Sequence, residues 1–492
     1  MNAKDTIIGR KEECAQLERA LRSPRAELIA VYGRRRIGKT FLIRSLYKEH
    51  MVLEWSGIYR GTLADQLHGF HDALAARGFR RPVPSSWMEA FAQLREYLTK
   101  VAPERKGRSA KRGAAKKVIF IDEFPWLDSR RSRFLAAFSH WWNSHVSRRN
   151  DLVVVICGSA ASYMIRKVLN DRGGLHNRVT QRLRLAPFSL GETEQLLRRN
   201  RIRWTRYEIL QLYMALGGVP HYLEMVERGE SVAQTIDRLC FVRNGYLRDE
   251  FGNVFASLFE HGDNHEAVVR ALASVRRGLT RNAVAAKAKL PSGGRLTATL
   301  TELEQSGFIE RYAPYHGKKD PLYRLTDEYT LFYLRYVAST RAGRAGTWQR
   351  MLSSPAYRAW SGFAFETICI KHVDAIKAAL GISGVRSVEG SWVGKRPRPG
   401  STGGEDRGAQ VDLLIDRDDQ VINLCEMKFS NKPFRIDRGY AAELSAKIAA
   451  FTSATRTRKS VFLTLVTTHG VADNAYSRQL MESEVTTDAL FV

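Results

Sequence analysis

The chain has 492 residues, with 78 Lys and Arg against 51 Asp and Glu, a formal net charge of +27. At 44% hydrophobic and 10% aromatic residues it can bury sizeable cores, which excludes a disordered tail, and its length suits about three domains. The basic excess points to an anionic partner, nucleic acid before membrane, although Arg is spread throughout and a compositional bias would give the same sum.

The opening residues, MNAKDTIIGR, hold no apolar signal core. The longest apolar run, near Leu152–Cys157, falls far short of the ~20 residues a membrane helix needs, so no membrane partner is expected. Cys14, Cys157, Cys240, Cys369 and Cys425 are scattered without a CxxC pair, which predicts reduced thiols and a cytoplasmic protein.

In chain order, residues 1–200 alternate apolar strand-like runs with helical patterns, the signature of an α/β layer. Glu27–Tyr32, Lys117–Ile121 and Leu152–Ile156 suit buried parallel strands. Residues 201–258 are helical in pattern, broken at Gly217-Gly218-Val219-Pro220, residues 259–338 hold short helices and a hairpin, and residues 352–492 return to mixed α/β. Three stretches read as loops: Pro103–Lys117, basic and rich in small residues, Trp392–Ala409, rich in Gly and Pro, and the weaker linker Ser339–Gly346.

Gly33-Arg34-Arg35-Arg36-Ile37-Gly38-Lys39-Thr40 fits GxxxxGK[ST] between the strand ELIAVY and the helical run FLIRSLYKEH, the context that motif requires. Glycines let backbone N–H groups curl around phosphate oxygens, and the helix N-terminus adds a favourable dipole. Lys39 would neutralise the β/γ-phosphates and Thr40 would ligate Mg²⁺, so ATP and Mg²⁺ are the expected cofactors. KKVIFIDEFPWL reads as a strand ending in Asp122, which suits the metal, and Glu123, which suits polarising the attacking water and so implies hydrolysis. At the end of LVVVICGSAAS, Ser159 either senses the γ-phosphate or caps the next helix. Arg178 in LHNRVTQRLRL is a candidate arginine finger, in cis or from a neighbouring copy, and the latter implies a homo-oligomer.

IIGRKEE, VYGRRRIGKT, VIFIDEFPWL, ICGSAASYM and LGGVPHYLE together resemble the archaeal-type P-loop ATPases, relatives of AAA+ and STAND ATPases, over the first ~240 residues. The resemblance implies an ASCE, AAA+-like core with an ATP-Mg²⁺ site, a helical lid, and Gly9-Arg10 near the adenine. That family often carries a Gly-Arg-Arg run where this chain has Asn177-Arg178-Val179.

Downstream, the helical stretch His265–Arg276, LTRNAVAAKAKL as turn and helix, GGRLTATLTELEQSGFIERY as helix and strand, and Lys318–Leu325 as a wing read as a winged helix-turn-helix. Arg295, Thr297 and Thr299 near the third helix start could face DNA, or the module packs only within the chain.

The last block carries Glu366 in SGFAFETICIKHV, Asp412 in QVDLLID, and Glu426 with Lys428 in VINLCEMKFS. Residues two apart on a strand share a face, so Glu426 and Lys428 point together, and the neighbouring strand brings Asp412 towards them. Asp412 and Glu426 are the expected Mg²⁺ ligands, with Lys428 positioning water or offsetting charge and Glu366 a further ligand or support. This Glu, Asp and ExK order resembles the PD-(D/E)XK nuclease fold. The expected fold is therefore an α/β P-loop NTPase core (1–200), a helical lid (201–258), a winged helix-turn-helix domain (259–338) and a restriction-endonuclease-like α/β domain (352–492). The expected function is an ATPase coupled to a Mg²⁺-dependent nuclease acting on DNA before RNA. The alternative is a STAND-like ATP switch that binds DNA or a protein without cutting.

Overall fold

The computed structural model describes residues 7–102, 116–170, 175, 177–259, 262–312, 314–315, 320–341, 343, 346–394 and 409–492. The chain divides into two compact units, Met1–Pro187 with Gln305–Gly307 and Phe188–Glu304 with Phe308–Val492.

The first unit is built on five parallel strands, β1 (Glu27–Tyr32), β2 (Met51–Ser56), β3 (Lys117–Asp122), β4 (Leu152–Gly158) and β5 (Gln181–Arg184), in the order β2-β3-β4-β1-β5. The central strands are apolar except for charges at their ends, Glu27 on β1 and Lys117 and Asp122 on β3, because both faces are covered. Leu28, Ala30, Ile119, Ile121, Val154 and Ile156 face one core. Their alternates Ile29, Val31, Val118, Phe120, Val153 and Val155 face the other. The first core is markedly aromatic: Phe91 stacks on Trp141 at 5.2 Å, and Phe124 meets Phe134 and Phe138 edge to face. Such pairs add about 0.5–1.5 kcal/mol each beyond simple burial.

The second unit opens with the helices Leu190–Arg199, Arg206–Leu216 and Val232–Ile236, each started by a capping box: Ser189 with Glu192, Thr205 with Glu208, and Ser231 with Gln234. The predicted break at Gly217-Gly218 is a tight backbone crossing, in which Phe188 N donates to Gly218 O at 2.6 Å and a Cβ on Gly218 would lie 1.9 Å from Phe188 O.

Next come the helices Gly262–Ala273, Arg281–Ala288 and Gly294–Gln305, and a small antiparallel sheet of β6 (Leu279–Thr280), β7 (Ile309–Tyr312) and β8 (Leu322–Leu325) in the order β6-β8-β7. Leu279 and Thr280, read as a turn, form β6, because they pair with a strand more than forty positions later that local pattern cannot reveal. Thr299 is buried and its hydroxyl donates to Arg295 O at 3.0 Å, so it faces the core, whereas Arg295 and Thr297 are exposed.

The last segment holds the helix Pro355–Lys371, five strands and the helix Arg438–Thr455. The strands are β9 (Ser387–Gly394), β10 (Ala409–Arg417), β11 (Val421–Lys428), β12 (Ser460–Thr467) and β13 (Ser483–Thr486), in the order β13-β12-β11-β10-β9. β10 is antiparallel to β9 and β11, while β11, β12 and β13 run parallel, the first crossover being made by the helix. Trp392–Gly394 therefore close a strand and Ala409 opens one, rather than belonging to a loop; the intervening Lys395, Arg396 and Arg398 lie outside the described residues. At the end of the other predicted loop, Lys117 opens β3 and Lys116 is buried, its ammonium donating to Arg25 O at 2.5 Å. Lys106, Arg108, Lys111, Arg112, Lys318 and Lys319 lie outside the described residues. In the predicted linker, Gly343 bridges Val242.

Candidate functional site

Two clusters of polar side chains stand out, one in each unit. In the first, β1 runs into a loop that places two glycines at positive φ. Gly33 has φ +145°, and a Cβ there would lie 2.3 Å from Leu185 O; Gly38, at φ +84°, leads into the helix Lys39–Tyr47. Ile37 sends its side chain into the core, so it offers the loop only backbone, while Arg34 is buried and Arg35 and Arg36 are half-buried.

Lys39 is buried and its ammonium donates to Gly33 O (3.0 Å), Arg34 O (2.8 Å) and Ser159 Oγ (3.1 Å). Ser159 Oγ donates in turn to Glu123 Oε1 at 2.6 Å, and its N–H to Oε2 at 3.2 Å. Thr40 Oγ1 donates to Asp122 Oδ2 at 2.7 Å. Adjacent parallel strands β3 and β4 end side by side, and β1 next to β4 carries the loop, so three separate sequence motifs converge at one sheet edge. Glu123 sits at φ +44°, a left-handed conformation that costs a non-glycine residue about 1–2 kcal/mol and turns its carboxylate towards Ser159. Arg10, also left-handed, is buried and donates to Ala186 O at 2.5 Å. Arg178 is exposed on a turn and, among the described residues, makes no polar contact with Lys39, Thr40, Asp122, Glu123 or Ser159.

Thr40 and Asp122 set two hard oxygen donors beside the loop, which fits a Mg²⁺ ion. Glycine-shaped loop, buried lysine and paired acids define an α/β P-loop NTPase-like core on a parallel sheet. Residues 7–226 match the family model described as an ATPase domain predominantly from Archaea, which supports ATP hydrolysis. An uncharacterized protein of Methanocaldococcus jannaschii is 26% identical over 373 residues, 74% of this chain and 76% of that one. An uncharacterized ATP-binding protein of the same organism is 44% identical over 46 residues, 9% of this chain and 78% of that one. A Walker-type ATPase of Pyrococcus abyssi aligns with a TM-score of 0.47 at 19% identity, covering 68% of this chain and 97% of that one.

In the second unit the β10/β11 register pairs Leu413 with Cys425, and one further step sets Asp412 opposite Glu426. Glu426 is gripped by Lys428 (3.3 Å to Oε1) and Lys447 (2.6 Å to Oε2). Burial pushes its carboxyl up, but the two ammonium groups outweigh this and hold it below the usual range. Asp412 accepts from Gln410 Nε2 and is raised by burial. Burial, reinforced by Asp412 and Glu426, pushes Glu366 up to about 8. Glu366 and Asp412 line one cavity of about 350 Å³. Among the described residues, no three His, Cys, Asp or Glu side chains are gathered into a ready-made metal cage.

Lys447, Gln410 and Tyr440 were not singled out from sequence. Lys428 Nζ lies 4.8 Å from the Tyr440 ring centre. Gln410, two before Asp412 on the same strand face, was legible by period; Lys447 sits within a helix whose polar positions all look alike.

Proposed function

We propose that the first unit hydrolyses ATP with Mg²⁺ and that this turnover governs a divalent-cation-dependent nuclease in the second unit, acting on DNA before RNA. In this reading Lys39 holds the β- and γ-phosphates, Thr40 and Asp122 hold the Mg²⁺, and Glu123 accepts the proton of the attacking water. Ser159 keeps Glu123 and Lys39 aligned, and Arg178 reaches the nucleotide from a second copy. Residues 1–200, 201–258, 259–338 and 352–492 serve as ATPase core, lid, winged helix and nuclease-like domain.

The observation carrying the nuclease reading is the convergence of Glu366, Asp412, Glu426 and Lys428 on one half-buried patch, where their charges act on one another. Glu366 is raised first by burial and then by its neighbours Asp412 and Glu426, and a divalent cation would offset both effects, so the donor set suits one. Such an ion supplies Lewis acidity when bound. Asp412 and Glu426 would hold it, Lys428 would orient the water or offset developing charge, and Glu366 would complete the set.

A second reading, an ATP-driven switch that binds nucleic acid or protein without cutting, is favoured by the two lysines that already occupy both oxygens of Glu426. A cleavage assay with Mg²⁺ or Mn²⁺ and ATP on single- and double-stranded DNA and on RNA separates them. Cleavage by the wild type, lost in both Glu426→Ala and Lys39→Ala, is expected. No cleavage of any substrate by the wild type leaves the switch.

A further inference from the structure

The cavity beside the acid patch is also lined by arginines. Arg276 and Arg277 follow the helix Gly262–Ala273, and Arg324 lies on β8; all three line the same cavity as Glu366, Asp412 and Lys447. The arginines and Asp412 also line an adjoining cleft of about 550 Å³ that runs past Tyr312 and Tyr315. Among the described residues, none of the three arginines is ion-paired with Glu366 or Asp412, although the charges face one another. Arg324 has a buried Nε that donates to no described acceptor, and its guanidinium lies 5.4 Å from the centre of the Tyr312 ring. Arginines and carboxylates thus line one cavity without pairing with one another. A phosphodiester fits such a cavity: its free oxygens suit the guanidinium forks, and its reacting side is turned to the carboxylates.

We infer that Arg276, Arg277 and Arg324 form a phosphate clamp that draws a single strand of nucleic acid across the Glu366–Asp412 patch. The assignment rests on reading that patch as a nucleic-acid site. The cleft has the volume of a small-ligand pocket, enough for a few nucleotides of one strand and too confined for a duplex. Half-buried tyrosines, Tyr312 and Tyr315, border the arginine row, and aromatic rings beside arginines are the usual equipment for sequence-tolerant single-strand binding.

The test is fluorescence anisotropy of a labelled oligothymidylate on the full chain, with Ca²⁺ in place of Mg²⁺, across a salt series. Arg276 and Arg277 are exposed, so Arg276→Gln/Arg277→Gln should fold, with thermal unfolding as the check. That double variant, and Arg324→Gln separately, should weaken binding at least ~tenfold, and the double variant, which removes two phosphate contacts, should lower the salt slope by about 1.4. Affinities within about twofold of wild type overturn the clamp, as does a duplex that outcompetes the single strand. A wild type that binds through these arginines yet never cleaves removes the nuclease reading and leaves the clamp. A wild type that cleaves while the arginine variants bind undiminished removes the clamp alone.

Discussion

Ser159 is the hinge of the nucleotide site, accepting from Lys39 and donating to Glu123. Replacing it by Ala removes one hydrogen bond from each and leaves both charges in place. Turnover in Ser159→Ala should fall about tenfold with nucleotide affinity nearly unchanged, read as a drop in kcat at constant KM; an equal loss of affinity would assign Ser159 to binding. Lys116 is a different case. Burial lowers its ammonium from 10.5 to about 8. Between those two values the unfolded chain holds a proton that the folded chain has released, so stability should rise with pH across that window. Denaturant midpoints of wild type and Lys116→Met, compared from pH 7.5 upwards, should show the rise in the wild type alone. No sequence signal separated Lys116 from its basic neighbours, because its burial comes from the Arg25 carbonyl, far away along the chain.

Strands and loops divide by how local their causes are. The core strands of the first unit were legible because a buried parallel strand announces itself as an unbroken apolar run. The phosphate loop and its acids were legible because their residue types and spacing are dictated by backbone geometry at a strand end. β6 and β9 were not, since each depends on a partner distant in sequence, Tyr323 opposite Leu279 and Trp392 opposite Val411. The acid patch was half legible: the two-residue period gave Glu426 and Lys428 one face, but only the folded chain brings Lys447 to Glu426. The Gly217-Gly218 break was read as an interruption and is in fact a close crossing. A methyl group on Gly218 would strike the Phe188 carbonyl, which is backbone and has nowhere to go. Gly218→Ala should cost about 1–3 kcal/mol, seen as a lower thermal midpoint; an unchanged midpoint would mean the crossing relaxes freely.

The second unit also carries a titratable tie across its helices. His372 Nδ1 donates to Ile368 O at 2.8 Å, and Nε2 accepts from Leu190 N at 3.4 Å, an arrangement that suits the neutral ring. Burial lowers its pKa from the ordinary 6.5. As pH falls through 6.5 the unfolded chain takes up a proton that the folded chain refuses, so stability present above that value is lost below it. His372→Asn should flatten this acid slope in a denaturation series; an identical slope would assign the loss to other groups. At the same scale, no helix among the described residues is long and apolar enough to cross a membrane.

The strand order of the first unit bears on how the chain comes to be folded at all. β1, which delivers the phosphate loop, is made early, yet Glu27 pairs with Val153 and Ile29 with Gln181. Until β4 emerges during synthesis, both edges of an almost wholly apolar strand stand open, and such late-closing parallel pairings fold slowly and invite aggregation. A chain interrupted before Leu152 should therefore collect in the insoluble fraction and bind no nucleotide, although it contains the whole GxxxxGK[ST] motif.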